Sequence, residues 1–142
     1  MTFRTLIVED NDDYRQILRV ILQRKTRCKV VGEASDGIEA VRRAEILEPD
    51  LILLDIGLPT LSGIEVARRI RNLVPDATIL FVSQNSSPEI VEAVLEIGAL
   101  GYLLKSDAAE LPVAINTVLK GKQFISSGLE TAVSCGRLSL TL

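Results

Sequence analysis

The chain has 142 residues, 47% of them hydrophobic and 25% charged, which suits one globular domain; with only 4% aromatics its core must be aliphatic. It contains no histidine, which excludes imidazole bases and ligands, and its two cysteines, Cys28 and Cys135, show neither zinc-site spacing nor a disulfide framework. A net charge of −3 argues against direct contact with nucleic acid; the opening "MTFRTLIVEDND" has neither a signal-peptide core nor a membrane span, so a cytoplasmic setting is expected.

In chain order, "TLIVED" (Thr5–Asp10) is the first of five short aliphatic runs. In "DDYRQILRVILQRK", Ile17, Leu18, Ile21 and Leu22 fall on one helical face, with Arg15, Arg19 and Gln23 outside it. The second strand is Cys28–Ala34. A helix then opens on the capping box Asp36-Gly-Ile-Glu39, in which the first side chain accepts from the N3 amide and the glutamate reaches back. The turn "EPD" leads into Leu51–Asp55, the capping box Ser62-Gly-Ile-Glu65 opens the next helix, and "VPD" leads into Thr78–Ser83. Ser87 is placed as an N-cap with Pro88 at the first helical position. Gly101–Ser106 is the fifth strand, and Asp107-Ala-Ala-Glu110 is a third capping box. The last helix ends near Gly121, and the Ser-, Thr- and Gly-rich remainder is expected to be a linker or docked tail.

Runs one, three, four and five are continuous rather than alternating, as parallel strands covered on both faces are. Strands alternating with helices predict an α/β fold with a parallel sheet. In such sheets ligands bind beyond the carboxyl ends of the strands. Right-handed crossovers bring Glu9, Asp10, Asp55, Ser83 and Lys105 to one edge. Two unit charges about 4 Å apart repel by on the order of 4 kcal/mol at an effective dielectric of 20, and one lysine does not offset three carboxylates. A divalent cation among them does, with Lys105 facing a further anion. An all-oxygen donor set suits Mg²⁺ better than zinc.

Over about residues 4–122 the sequence resembles the receiver domain of two-component response regulators. The resemblance rests on Glu9-Asp10, Asp55 in "DIGLP", the following "GIE", Ser83 after "ILFV", and Lys105 in "GALGYLLKSDA". It implies a flavodoxin-like (βα)5 doubly wound parallel sheet in the order 2-1-3-4-5, which leaves Glu33 and Asp36 at an edge, outside the site. It further implies that Asp55 is the phosphoacceptor for a sensor histidine kinase or phosphotransfer protein. Glu9, Asp10, Asp55 and the main-chain carbonyl of Gly57 would hold Mg²⁺, or Mn²⁺ in its place. Lys105 and Ser83 would contact the phosphoryl oxygens. Ser83 and Tyr102 would form the switch, Tyr102 swinging inward, read out by the fourth helix, fifth strand and fifth helix (residues 88–120), with homodimerisation through that face as one outcome. The chain would be a signalling phosphoacceptor rather than an enzyme.

"GYLLKSDA" and "GKQFIS" look most like the NarL/FixJ-type branch, in which a linker and a LuxR-type helix-turn-helix follow the receiver. The implied organisation is a receiver at 1–122 and a linker or tail at 123–142. DNA binding and transcriptional control would reside in an output domain absent from this chain. A chain cut short before that domain is favoured over a stand-alone receiver. Glu9 stands where aspartate is commoner, Ser106 where proline often follows the lysine, and Gln84 where a small residue is usual, partly shielding the site. Gly57 and Asn85 hold positions that tune acyl-phosphate lifetime. An aspartate-nucleophile phosphohydrolase would need a second aspartate where Gly57 stands. A nucleotide or flavin binder would need a glycine-rich loop where "EDNDDY" stands. A phosphorylation-independent interaction module is the remaining alternative. Cys28 and Cys135 are expected to be inert, and Arg42-Arg43 and Arg68-Arg69 to be solvated helix faces.

Overall fold

A computed structural model describes residues 2–129. Its strands are β1 (Phe3–Val8), β2 (Cys28–Ala34), β3 (Leu51–Leu54), β4 (Thr78–Ser83), β5 (Gly101–Leu104) and β6 (Phe124–Ile125). Its helices are α1 (Asp12–Lys25), α2 (Gly37–Leu47), α3 (Gly63–Leu73), α4 (Pro88–Ile97) and α5 (Leu111–Leu119). The sheet runs β2-β1-β3-β4-β5-β6, every pairing parallel. The expected order 2-1-3-4-5 is therefore present, with one strand added beyond β5. Among the described residues no helix is long and apolar enough to cross a membrane.

The continuous apolar runs are buried on both faces because the pleat sends alternate side chains to opposite layers. Leu6, Val8, Ile52, Leu54, Ile79 and Phe81 pack with Ala40, Val66, Ile70 and Val91, from α2, α3 and α4. Ile7, Leu51, Leu53, Leu80 and Val82 pack with Leu18, Leu22, Leu111 and Ile115, from α1 and α5. All four residues of the central strand β3 are fully buried. A carboxylate that follows directly on this strand has a rigid mount.

Three local expectations are corrected. On α1 only Leu18 and Leu22 are buried, while Ile17 is 46% exposed; the helix lies over the sheet on a stripe narrower than the apolar pattern suggests. The boxes at Asp36 and Ser62 form only in their N-cap half, the side chains accepting from Glu39 N and Glu65 N. Glu39 accepts from Ser35 N instead, and Glu65 pairs with Arg68 and Arg69. The third box does not form at all: Lys105–Glu110 is a 3-10 turn, and α5 begins after it at Leu111. Ser87 sits at the N-cap of α4 with Pro88 in the first turn, but its side chain makes no capping bond.

The carboxylates of the third box have tertiary partners instead, in the segment expected to be a linker or docked tail. Asp107 Oδ2 accepts from Ser126 Oγ (2.9 Å) and Gly128 N (2.9 Å), and Glu110 accepts from Ser127 N and Oγ. Ser126 N–H donates to the Tyr102 carbonyl, continuing β6 along β5, and Leu129 is buried against the core. Residues 124–129 thus belong to the folded unit, and Cys135 lies outside the described residues. Cys28 is buried.

The fully buried Ser126 hydroxyl also accepts from Leu104 N (3.1 Å). Ser126→Ala removes two hydrogen bonds and leaves a buried amide unpaired, an expected loss of about 1–3 kcal/mol. Urea unfolding checks this; an unchanged midpoint would show that the docked segment contributes nothing to the fold.

Candidate functional site

The predicted strand-end residues meet at one edge. Glu9, Asp10, Asp55, Gly57, Ser83 and Lys105 line a cleft of about 340 Å³, with Asn11, Ile56, Gln84 and Asn85. Carboxylate oxygens of Glu9, Asp10 and Asp55 lie within 4.8 Å of one another. Glu33 is outside, on the edge strand β2, paired with Arg15 and Arg19. Asp36 is the N-cap of α2. Arg43, Arg68 and Arg69 are exposed and pair with Glu39 and Glu65 on their own helices.

Asp55 is 6% exposed, and both of its oxygens are engaged. Oδ1 accepts from Ile56 N (2.7 Å) and Oδ2 from Lys105 Nζ (3.1 Å). Glu9 is more deeply buried; it accepts from Lys105 Nζ (2.9 Å) through Oε1 and from Asn11 N (3.1 Å) through Oε2. Lys105 therefore bridges two carboxylates rather than facing only an outside anion. Asp10 is exposed at the mouth.

The electrostatics of the pair are uneven. Burial holds the Glu9 carboxyl above its ordinary value, the Lys105 and Asn11 hydrogen bonds oppose that, and the Asp55 charge adds to it. For Lys105 desolvation alone acts downward, yet the two carboxylates together carry its ammonium above the ordinary lysine value. The donor set is all oxygen, two carboxylates are buried against each other, and one lysine is shared between them. That set fits a hard divalent cation such as Mg²⁺, which takes carboxylates and waters.

Ser83 and Tyr102 hold one loop residue from opposite sides. Ser83 Oγ accepts from Asn85 N (3.1 Å), and the Tyr102 hydroxyl donates to the Asn85 carbonyl (2.6 Å). Tyr102 is fully buried, its ring stacked on Phe81 at a centroid distance of 6.3 Å. Gln84 is exposed and lines the cleft.

The sequence reading missed the residues that brace these groups. Asn11 caps α1, accepting from Tyr14 N (2.8 Å), and ties that cap to Glu9 through its own amide. Arg15 donates to the Glu9 carbonyl (2.7 Å). Tyr14 places its ring 4.8 Å from Lys105 Nζ and its hydroxyl on the Lys105 carbonyl (3.1 Å). The only sequence signal for them was their place in the turn directly after Glu9-Asp10.

Comparison with known proteins agrees with this arrangement. The model of the response regulator receiver domain matches residues 5–116. The transcriptional regulatory protein LiaR of Bacillus subtilis is 38% identical over 125 residues, which cover 87% of this chain and 59% of LiaR. The chain spans between 50% and 62% of other curated relatives. A LuxR-family two-component response regulator from Aurantimonas sp. SI85-9A1 superposes with a TM-score of 0.91 at 33% identity, covering 97% of this chain and 99% of that one. The response regulator domain of Thermotoga maritima CheB gives 0.79 at 30% identity, covering 84% and 98%.

Proposed function

Because this chain belongs to the response regulator receiver family, as a receiver domain of the LuxR/NarL type, we propose that it takes a phosphoryl group onto Asp55 in a Mg²⁺-dependent reaction and thereby switches a partner or output domain. The observation that carries this reading is the setting of Asp55: a buried carboxylate at the end of the central strand, 3.1 Å from Lys105 and grouped with Glu9 and Asp10.

In the proposed reaction an Asp55 carboxylate oxygen attacks phosphorus, and the bond from phosphorus to the donor breaks. The leaving group, the imidazole of a phosphohistidine or the acetate of acetyl phosphate, departs with its electron pair. Glu9, Asp10, Asp55 and the Gly57 carbonyl are the proposed ligands that would hold Mg²⁺, and the chemistry the ion would supply when bound is charge neutralisation. Lys105 then trades its carboxylate contacts for a phosphoryl oxygen. Transfer through a loose transition state needs mainly such positioning and charge neutralisation.

Ser83 is proposed to turn its hydroxyl to another phosphoryl oxygen. Doing so releases the Asn85 amide, whose residue the Tyr102 hydroxyl also grips, so the change reaches β5 and α4. Such a switch biases two existing states rather than creating a new one. The chain acts as a signalling phosphoacceptor and not as an enzyme for a separate substrate. Its proposed partners are a sensor histidine kinase or phosphotransfer protein, a second copy through α4, β5 and α5, and an output domain that binds DNA, all in the cytoplasm.

Incubation with acetyl phosphate and Mg²⁺ is expected to add one phosphoryl group by intact mass, and EDTA to prevent it. Absence of any gain with Mg²⁺ present would overturn the reading.

A further inference from the structure

Lys105 is a flexible side chain that must hold its ammonium at one point of the cleft. Its two carboxylate partners, Glu9 and Asp55, are the groups that a cation would also engage. A third contact does not depend on them. The Tyr14 ring lies under the ammonium, 4.8 Å from Nζ to centroid, and the Tyr14 hydroxyl donates to the Lys105 main-chain carbonyl at 3.1 Å. One side chain thus grips both the head and the root of the lysine.

Tyr14 is itself fixed. Its amide donates to the Asn11 cap, and Asn11 in turn donates to Glu9. Packing against the α1 and α5 side of the core would need only apolar bulk; neither the hydroxyl contact nor the ring face toward Lys105 follows from it. Burial pushes the Tyr14 phenol up to about 12, so it remains a donor throughout the neutral range.

Resting on the receiver reading, we propose that Tyr14 is a positioning residue for Lys105, pre-orienting the ammonium toward the transferring phosphoryl group. A cation over an aromatic face is stabilised enough for its loss to slow a step that relies on it by about tenfold.

The test is the rate of phosphoryl uptake from acetyl phosphate at saturating Mg²⁺. Tyr14→Leu is expected to lose about tenfold, and Tyr14→Phe, which keeps the ring, to recover most of it. Tyr14→Met replaces Tyr14→Leu should that variant not fold. In a Lys105→Ala background Tyr14→Leu is expected to cause no further loss, since the partner of the ring is gone. Equal rates for wild type and Tyr14→Leu would overturn the proposal. So would an equal loss with and without Lys105, the mark of a merely structural role. A wild type that takes up no phosphoryl group sinks the receiver reading and this proposal with it, an outcome distinct from the other two.

Discussion

Asp55→Asn is expected to gain no mass with acetyl phosphate and Mg²⁺ under conditions that label the wild type completely. The amide has no anionic oxygen to attack phosphorus, so the loss is of the reaction and not of a fraction of its rate. The fold remains, because an amide fills the same space at the end of β3. It does lose one bond. Asp55 accepts from two donors, Ile56 N and Lys105 Nζ, and an asparagine presents one oxygen and one NH₂, so one donor is left facing another. A cost of about 1 kcal/mol follows, visible as a small drop in the urea midpoint. The metal readout is larger. A ligand that binds only the native state at a hundred times its dissociation constant stabilises it by about 2.7 kcal/mol, and Asp55→Asn should forfeit most of that. Equal labelling of the variant would place the acceptor elsewhere, first of all on exposed Asp10.

The same variant tests the origin of the Glu9 shift. A carboxyl raised above 4.5 in the fold keeps its proton while the unfolded chain loses it. From this group alone, stability falls as pH rises from about 4.5 to the folded value, because the unfolded state there binds fewer protons. Burial is the first cause and the Asp55 charge a lesser one. Removing that charge shortens the window without closing it. The contribution of Lys105, raised in the fold from 10.5, is complete below that value and is lost as pH climbs past it.

What the sequence carried and what it hid divide along a physical line. Asp55 was legible because its place needs only a buried aliphatic run that stops at a carboxylate, and parallel topology gathers such ends without further instruction. Glu9, Asp10, Ser83 and Lys105 followed for the same reason. Tyr14 was hidden because its contact depends on the azimuth of α1 and on a carbonyl 91 residues away. Asp107 and Glu110 carried the same Asp-x-x-Glu pattern as the box at Asp36. At Asp107 the donors Ser126 and Gly128 compete with the helix amides and win, and no local pattern reports that. The sixth strand went unseen for a related cause, since a pair of residues, Phe124–Ile125, is too short for periodicity to register.

Glycines show the limit most sharply and yield the second large effect. Gly57, whose main-chain carbonyl the family resemblance makes a metal ligand, stands in open space: a Cβ there would meet nothing within 4 Å. The constrained position is Gly63, the first residue of α3. A Cβ on it would stand 2.0 Å from the Asp55 carbonyl oxygen and 2.7 Å from the Ile56 Cα. These are backbone atoms of the proposed acceptor and its neighbour, so no rotamer change relieves the overlap. Either α3 withdraws, losing the 2.8 Å bond from Gly63 N to the Ile56 carbonyl, or Asp55 moves off the axis of β3. Gly63→Ala is therefore expected to cost about 3 kcal/mol in urea unfolding, at the upper end of overpacking. Phosphoryl uptake should fall by up to about a hundredfold, the scale of a 1 Å misplacement at a reacting centre. Gly57→Ala is the internal control: with open space around it, it should leave the unfolding midpoint within about 0.5 kcal/mol of wild type. A reversal of that order, Gly57→Ala the damaging change and Gly63→Ala the silent one, would mean that the loop after β3 does not hold Asp55 by the close approach of α3.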